Sequence, residues 1–255
     1  MKLIDTHCHL YTQEFDEDRD AMIKRAENEN VEHFYLPAID SETTLALLHL
    51  EAQYPNQCFA MMGLHPCYVK ENYEEELRKV ETWLAKRKFA AIGEIGLDFY
   101  WDTSFTTQQY HAFKIQIQWA KQYQLPIVIH SRNATDECIA VVKEIAGNSI
   151  TGIFHCFGGT IEQAHAIIEM GFYLGIGGVI TYKNAGLAEV VQQLPLSTLV
   201  LETDAPYLSP TPHRGKRNES SYLPLVAAKI ATVKNITIEE VAAVTTANAE
   251  KIFGT

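Results

Sequence analysis

Short apolar runs alternate with longer helical patterns along the whole chain, and this alternation limits the folds open to it. The strand-like runs fall at residues 2–7, 31–39, 58–63, 89–95, 127–130, 150–155, 172–176 and 198–202. Between them the spacing predicts helices over 16–30, from a cap at Ser41 to 54, and over 73–87, 106–123, 134–146 and 161–170. A short helix precedes the last strand, and 222–234 and 237–252 read as helices after it. Eight strands, each followed by a helix, are the signature of an α/β (β/α)8 TIM barrel, a fold of about 250 residues. The alternative is an open doubly wound sheet, which wants a glycine-rich loop after its first strand. This chain has His7-Cys8-His9 there. With no repeat, linker or composition break, residues 1–255 read as a single barrel domain.

Residues i and i+2 of a strand share a face, so His7 and His9 can offer two imidazoles to one point in space. In a barrel the carboxyl ends of all strands meet at one face, where active sites are built. His65 follows the third strand and Glu94 lies near the end of the fourth. His130 and His155 end the fifth and sixth strands, and Asp204 follows the eighth. His33, His49, His111 and His165 fall inside strands or helices and read as structural or exposed.

A divalent ion needs four to six donors. His7, His9, Glu94 and Asp204 make one set, and Glu94, His130 and His155 make another, with Glu94 as the shared carboxylate. Two ions about 3.5–4 Å apart clamp the attacking and leaving oxygens of a displacement and lower the pKa of a bound water. Asp204 is then a candidate general base.

The ordered motifs resemble the TatD-type metal-dependent hydrolases, a branch of the amidohydrolase-like barrel enzymes. They are DTHCHL at 5–10, GLHP at 63–66, GEIGLDFY at 93–100, IHSR at 129–132, FHCFGGT at 154–160, LETDAPYLSP at 201–210 and HRGKRNE at 213–219. The resemblance spans the chain and implies a TIM barrel with metal-dependent phosphodiester hydrolysis, usually described as DNase activity. It implies His7, His9, Glu94, His130, His155 and Asp204 as metal ligands, with Glu94 and Asp204 catalytic. Gly158 and Ser220 stand where the family commonly has Ser and Pro; neither position is a ligand. The implied cofactors are two divalent ions, Mg, Mn or Zn. The expected substrate is nucleic acid, with DNA ends favoured.

The net charge of −11 gives no long-range attraction to a polyanion, so substrate phosphate has to be met by local cations. His213-Arg214-Gly215-Lys216-Arg217 is the densest basic cluster, and Arg132 follows His130. Arg132, Arg214, Lys216 and His65 are therefore the substrate-binding candidates. Phe99-Tyr100-Trp101 read chiefly as loop packing, with base stacking as the other role. Cys8 and Cys156 are expected to turn away from the histidines as small apolar groups. Five cysteines without C-x-x-C spacing, no leader pattern and no apolar run near 20 residues make a cytoplasmic protein the expectation, with no membrane and no obligatory protein partner. Two rival readings use the same metals: an amide or ester hydrolase acting on a small molecule or aminoacyl-tRNA, and a non-enzymatic metal-binding scaffold.

Overall fold

In a parallel strand buried on both faces, alternate side chains serve two different apolar layers. The computed structural model, which describes every residue except 146, 148 and 255, shows eight such strands. They are β1 (Leu3–Asp5), β2 (Val31–Leu36), β3 (Cys58–Ala60), β4 (Ile92–Asp98), β5 (Ile127–Arg132), β6 (Gly152–Phe154), β7 (Tyr173–Ile176) and β8 (Leu199–Leu201). Ile4, Tyr35, Met61, Val128, Ile153 and Val200 form one buried cluster, the filling of the barrel. Their neighbours Leu3, Phe34, Leu36, Ile129, Phe154 and Leu201 turn outward onto the helices.

All the strands pair in parallel, β1-β2-β3 in one sheet and β4 to β8 in sequence in the other. A parallel bridge between Met62 and Ile92 joins the sheets on one side. On the other, the Thr6 N–H donates to the Leu201 carbonyl at 3.0 Å and closes the ring. The helices are α1 (Arg19–Asn28), α2 (Thr44–Gln53), α3 (Tyr73–Lys86), α4 (Thr106–Tyr123), α5 (Thr135–Ile145), α6 (Ile161–Glu169), α7 (Leu187–Gln193), α8 (Leu223–Lys234) and α9 (Ile238–Phe253). The chain has the (β/α)8 fold. Among the described residues, no helix is long and apolar enough to cross a membrane.

Two helices bear directly on the site. The end of α9 plugs the barrel where β1 begins: Ala249 and Ile252 join the inner cluster, and Phe253 stacks on Tyr35 with ring centroids 3.7 Å apart. Two glutamines seven residues apart on α4 clamp the opposite end. Gln116 accepts from Leu64 N at 2.7 Å and donates to Leu64 O, and Gln109 does the same for Asp98 N at 2.9 Å and Asp98 O. These paired amides satisfy buried backbone groups that would otherwise be costly to strip of water.

Three expectations change. The fourth strand runs 92–98 rather than 89–95, so Glu94 sits inside it rather than at its end. Ser41 does not cap α2, because its N–H and hydroxyl bind the Glu76 carboxylate; Asp40 accepts from Thr43 N instead. The expected end of the fifth helix, residue 146, lies outside the described residues.

Candidate metal centre

β1 gives way to His7 and His9 just where the barrel closes. Asp204 takes a left-handed backbone (φ 57°), a conformation Asp tolerates better than most residues. Its N–H donates to His7 O at 2.9 Å, and His9 N–H donates to Ala205 O at 2.7 Å. The ends of β1 and β8 are thus laced together, and three candidate ligands meet at one seam. Glu94 arrives from β4. There the pairing with β5 shifts register between Ile92 and Ile95, and beyond the end of β3 Glu94 N donates to Ala38 O at 3.1 Å. Gly96 (φ 144°) lets the strands cross closely, since a Cβ would lie 2.0 Å from His130 O.

Glu94 is the hub. Its Oε2 faces His7 Nε2 at 3.1 Å and His9 Nε2 at 3.6 Å. Its Oε1 faces His130 Nδ1 and His155 Nε2, each at 2.9 Å, and His65 Nε2 at 3.2 Å. Asp204 Oδ1 lies 3.7 Å from His7 Nε2 and 3.6 Å from His9 Nε2. Donors bound to one ion at about 2.1 Å stand roughly 3–3.5 Å apart, which is the spacing seen in both groups. Within each of the triads His7/His9/Glu94, Glu94/His130/His155 and His7/His155/Asp204, the donor atoms lie within 4.8 Å of one another.

The donors fit a cation on a second count. Both ring nitrogens of His7 and the Glu94 Oε2 are buried without a hydrogen-bond partner among the described residues, each costing about 1–3 kcal/mol if left so. Burial pushes the Glu94 carboxyl up, but the fields of His155, His65 and His7 outweigh it and hold it well below the usual range. Burial likewise lowers His155, yet Glu94 and Glu202 lift it well above the ordinary histidine value. A cluster that draws protons onto buried histidines attracts positive charge, and a divalent ion binding there would displace those protons.

The hydrogen bonds also assign ring tautomers. The Tyr11 hydroxyl donates its one proton to Pro37 O at 2.7 Å, so it accepts from His9 Nδ1 at 3.2 Å, leaving the His9 Nε2 lone pair toward the carboxylates. His130 Nε2 meets Asp98 Oδ2 at 2.8 Å, which turns Nδ1 to Glu94. His155 Nδ1 lies 3.6 Å from Glu202 Oε1, while its Nε2 faces Glu94. His65 is different: Cys67 N–H donates to its Nδ1 at 3.0 Å, so the neutral ring carries its proton on Nε2, aimed at Glu94. His65 thus presents a donor where the other histidines present lone pairs. His65, Cys67 and His130 also come within ligand range of one another, but His65 Nδ1 and His130 Nε2 already serve these hydrogen bonds.

The group lies at the bottom of a cleft of about 870 Å³. His9, His65, Glu94, His130, His155 and Asp204 line it, and so does Arg132. Arg214 and Lys216 are exposed and are not among its lining residues; the Arg214 guanidinium lies over the Tyr182 ring at 4.1 Å. Arg217 is held by Asp18 at 2.6 Å and by Glu219 at 3.5 Å. Cys8 is buried as expected, but Cys156 lines the cleft, because its left-handed backbone (φ 48°) breaks the alternation of the strand. Asp98, Glu202 and Tyr11 were not among the expected site residues. The Glu-x-Asp pair at 202–204, on the alternation of a strand, and the acidic end of GEIGLD were the available signals.

The model of the family described as TatD related DNase matches residues 4–254. The chain belongs to the TatD family. Among TatD-family relatives, a Bacillus subtilis protein described as the uncharacterized metal-dependent hydrolase YabD is 41% identical over 252 residues, 98% of each chain. The 3′-5′ ssDNA/RNA exonuclease TatD of Erwinia tasmaniensis is 31% identical over 257 residues, covering 98% of this chain and 99% of that one. The crystal structure of the Escherichia coli K12 TatD homologue YjjV superposes with a TM-score of 0.93 at 30% identity, over 99% of this chain and 98% of that one. This TatD-family chain is a metal-dependent hydrolase.

Proposed function

We infer that the protein is a phosphodiesterase that trims single-stranded DNA ends with two divalent ions. One observation carries this reading: Glu94 turns one oxygen to His7 and His9 and the other to His130 and His155. That is how a carboxylate shared by two ions is arranged. His7, His9, Glu94 and Asp204 would hold one ion, and Glu94, His130 and His155 the other. When bound, such a pair lowers the pKa of water and neutralises charge developing on phosphoryl oxygens. The single-strand exonuclease description of the Erwinia relative supports the substrate class.

The protein's own groups do the rest. Asp204 stays ionised, because hydrogen bonding from His9 and the field of His155 overcome the upward push of burial. With Oδ1 turned to His7 and His9, Oδ2 is left to accept the proton of the attacking water. His65 holds its Nε2 proton at the edge of the cleft as a donor to a phosphate oxygen. Arg132 supplies the fixed positive charge that an acidic chain otherwise lacks there. The five cysteines are all free thiols, which suits action in the cytoplasm.

The test is time-resolved cleavage of end-labelled single-stranded DNA by enzyme stripped with chelator and resupplied with Mg, Mn or Zn separately. A metal-dependent ladder shortening from one end is expected. Absence of any ladder, with turnover of ester or amide substrates instead, would move the assignment to small-molecule hydrolysis.

A further inference from the structure

Aromatic side chains that folding leaves in water gather at the cleft. Apart from Met1 and Leu45, the exposed large apolar residues described are Tyr68, Tyr100, Trp101 and Tyr207, and all but Tyr100 line the cleft. Trp101 is the extreme case at 69% exposure, followed by Tyr100 at 51% among the two consecutive rings after β4. The loop does not need these two rings to hold it down. Phe99 is already packed against the core beside Tyr110, with ring centroids 6.1 Å apart. Asp98 Oδ1 accepts from both Tyr100 N and Trp101 N at 2.9 Å, while its Oδ2 holds His130. One carboxylate therefore fixes the two rings relative to the candidate metal centre.

Arg132 completes the arrangement. Its guanidinium lies over the Tyr100 ring at 4.2 Å and 5.9 Å from the Trp101 ring. Arg25 and Arg217 are bound to carboxylates, but Arg132 has no carboxylate partner among the described residues, in a chain of net charge −11. A flat cation and an exposed indole beside a phosphodiester site match the two halves of a nucleotide, the phosphate and the face of the base.

We propose that Trp101, Tyr100 and Arg132 form a nucleotide subsite in which Trp101 stacks on the unpaired base next to the cleaved bond and Arg132 contacts its phosphate. The proposal rests on the phosphodiesterase reading and deepens it. Bases inside a duplex have both faces covered by their neighbours, so a stacking platform selects unpaired ends.

The experiment compares two end-labelled single strands, identical except that one is abasic at the position next to the cleaved bond. Trp101→Ala should lower kcat/KM on the complete strand roughly 5- to 100-fold, mainly through KM, the range set by loss of one stacked base. Trp101→Phe should restore most of it. On the abasic strand, wild type and Trp101→Ala should be equal; an equal loss on both strands overturns the subsite. A second measurement needs no turnover: in chelator, the complete strand should quench tryptophan fluorescence of the wild type and not of Trp101→Phe. If the wild type cleaves neither strand, the phosphodiesterase reading fails, and this quenching still decides the subsite, its absence overturning it.

Discussion

Where its strands begin, the barrel is shut by apolar packing, with Ile4, Tyr35, Val128, Ile153 and Val200 meeting Ile252 and Phe253 of α9. Where the same strands finish, it holds five histidines around one carboxylate, several of their polar atoms without partners. The first arrangement stabilises the fold; the second costs stability until a cation arrives. The contrast teaches that one layer of side chains along a strand decides between structure and chemistry. Ile4 and His7 are separated by two residues. The well-packed end lets the barrel carry buried groups that would be unfavourable alone.

The two ends can be tested against each other. At the polar end, Glu94→Gln keeps the shape but removes the shared charge. Turnover should fall by about a thousandfold, the scale of losing preorganised charge at a reacting centre. Its melting temperature in chelator should change less than that of the next variant. At the apolar end, Tyr35→Ala should cost about 3–5 kcal/mol in urea unfolding, as loss of a buried aromatic does. Below its melting transition this variant should keep kcat; a large fall in kcat there would break the division between the ends.

Asp98→Asn should leave the fold in place and weaken metal binding 10- to 100-fold by isothermal titration, because His130 loses the partner that orients it. Unchanged affinity would show that Asp98 serves only the Tyr100–Trp101 loop. The smallest effect lies away from both ends. Hydrogen bonds from Arg217 and then Arg25 hold the Asp18 carboxyl below its usual range. A depressed folded-state value stabilises fully above the unfolded value near pH 4 and is lost as pH falls toward the folded one. Asp18→Asn should therefore cost at most about 1 kcal/mol at pH 7, with a smaller gap from wild type at pH 3. Comparing urea midpoints at the two pH values checks the sign.

The strand order and the members of both candidate ligand sets could be read in the sequence, because strand alternation and barrel geometry are local rules repeated eight times. Where reading failed, the cause was tertiary. The run at 89–91 is as apolar as a strand, and Gly93 and Gly96 weaken the stretch after it, but pairing of Asp98 with Arg132 carries β4 three residues further. Asp98 and Glu202 act through histidines 32 and 47 positions away in sequence, a relation that no spacing rule contains. The basic cluster at 213–217 was conspicuous by charge, yet Arg217 is consumed by Asp18 and Glu219, and Arg214 rests on Tyr182. Arg132 is one residue in a motif and stands out only once its lack of a carboxylate partner is known.

The seam between β1 and β8 gives the site a place in time. His7 and His9 are among the first residues to leave the ribosome, whereas Asp204 follows only after the eighth strand is made. Until Leu201 accepts from Thr6 and Asp204 donates to His7, the first set of donors lacks its second carboxylate. A half-made chain holds the histidines but not the centre. Hydrolysis by this protein is consequently a property of the finished ring, and the emerging polypeptide is inert beside the nucleic acid around it.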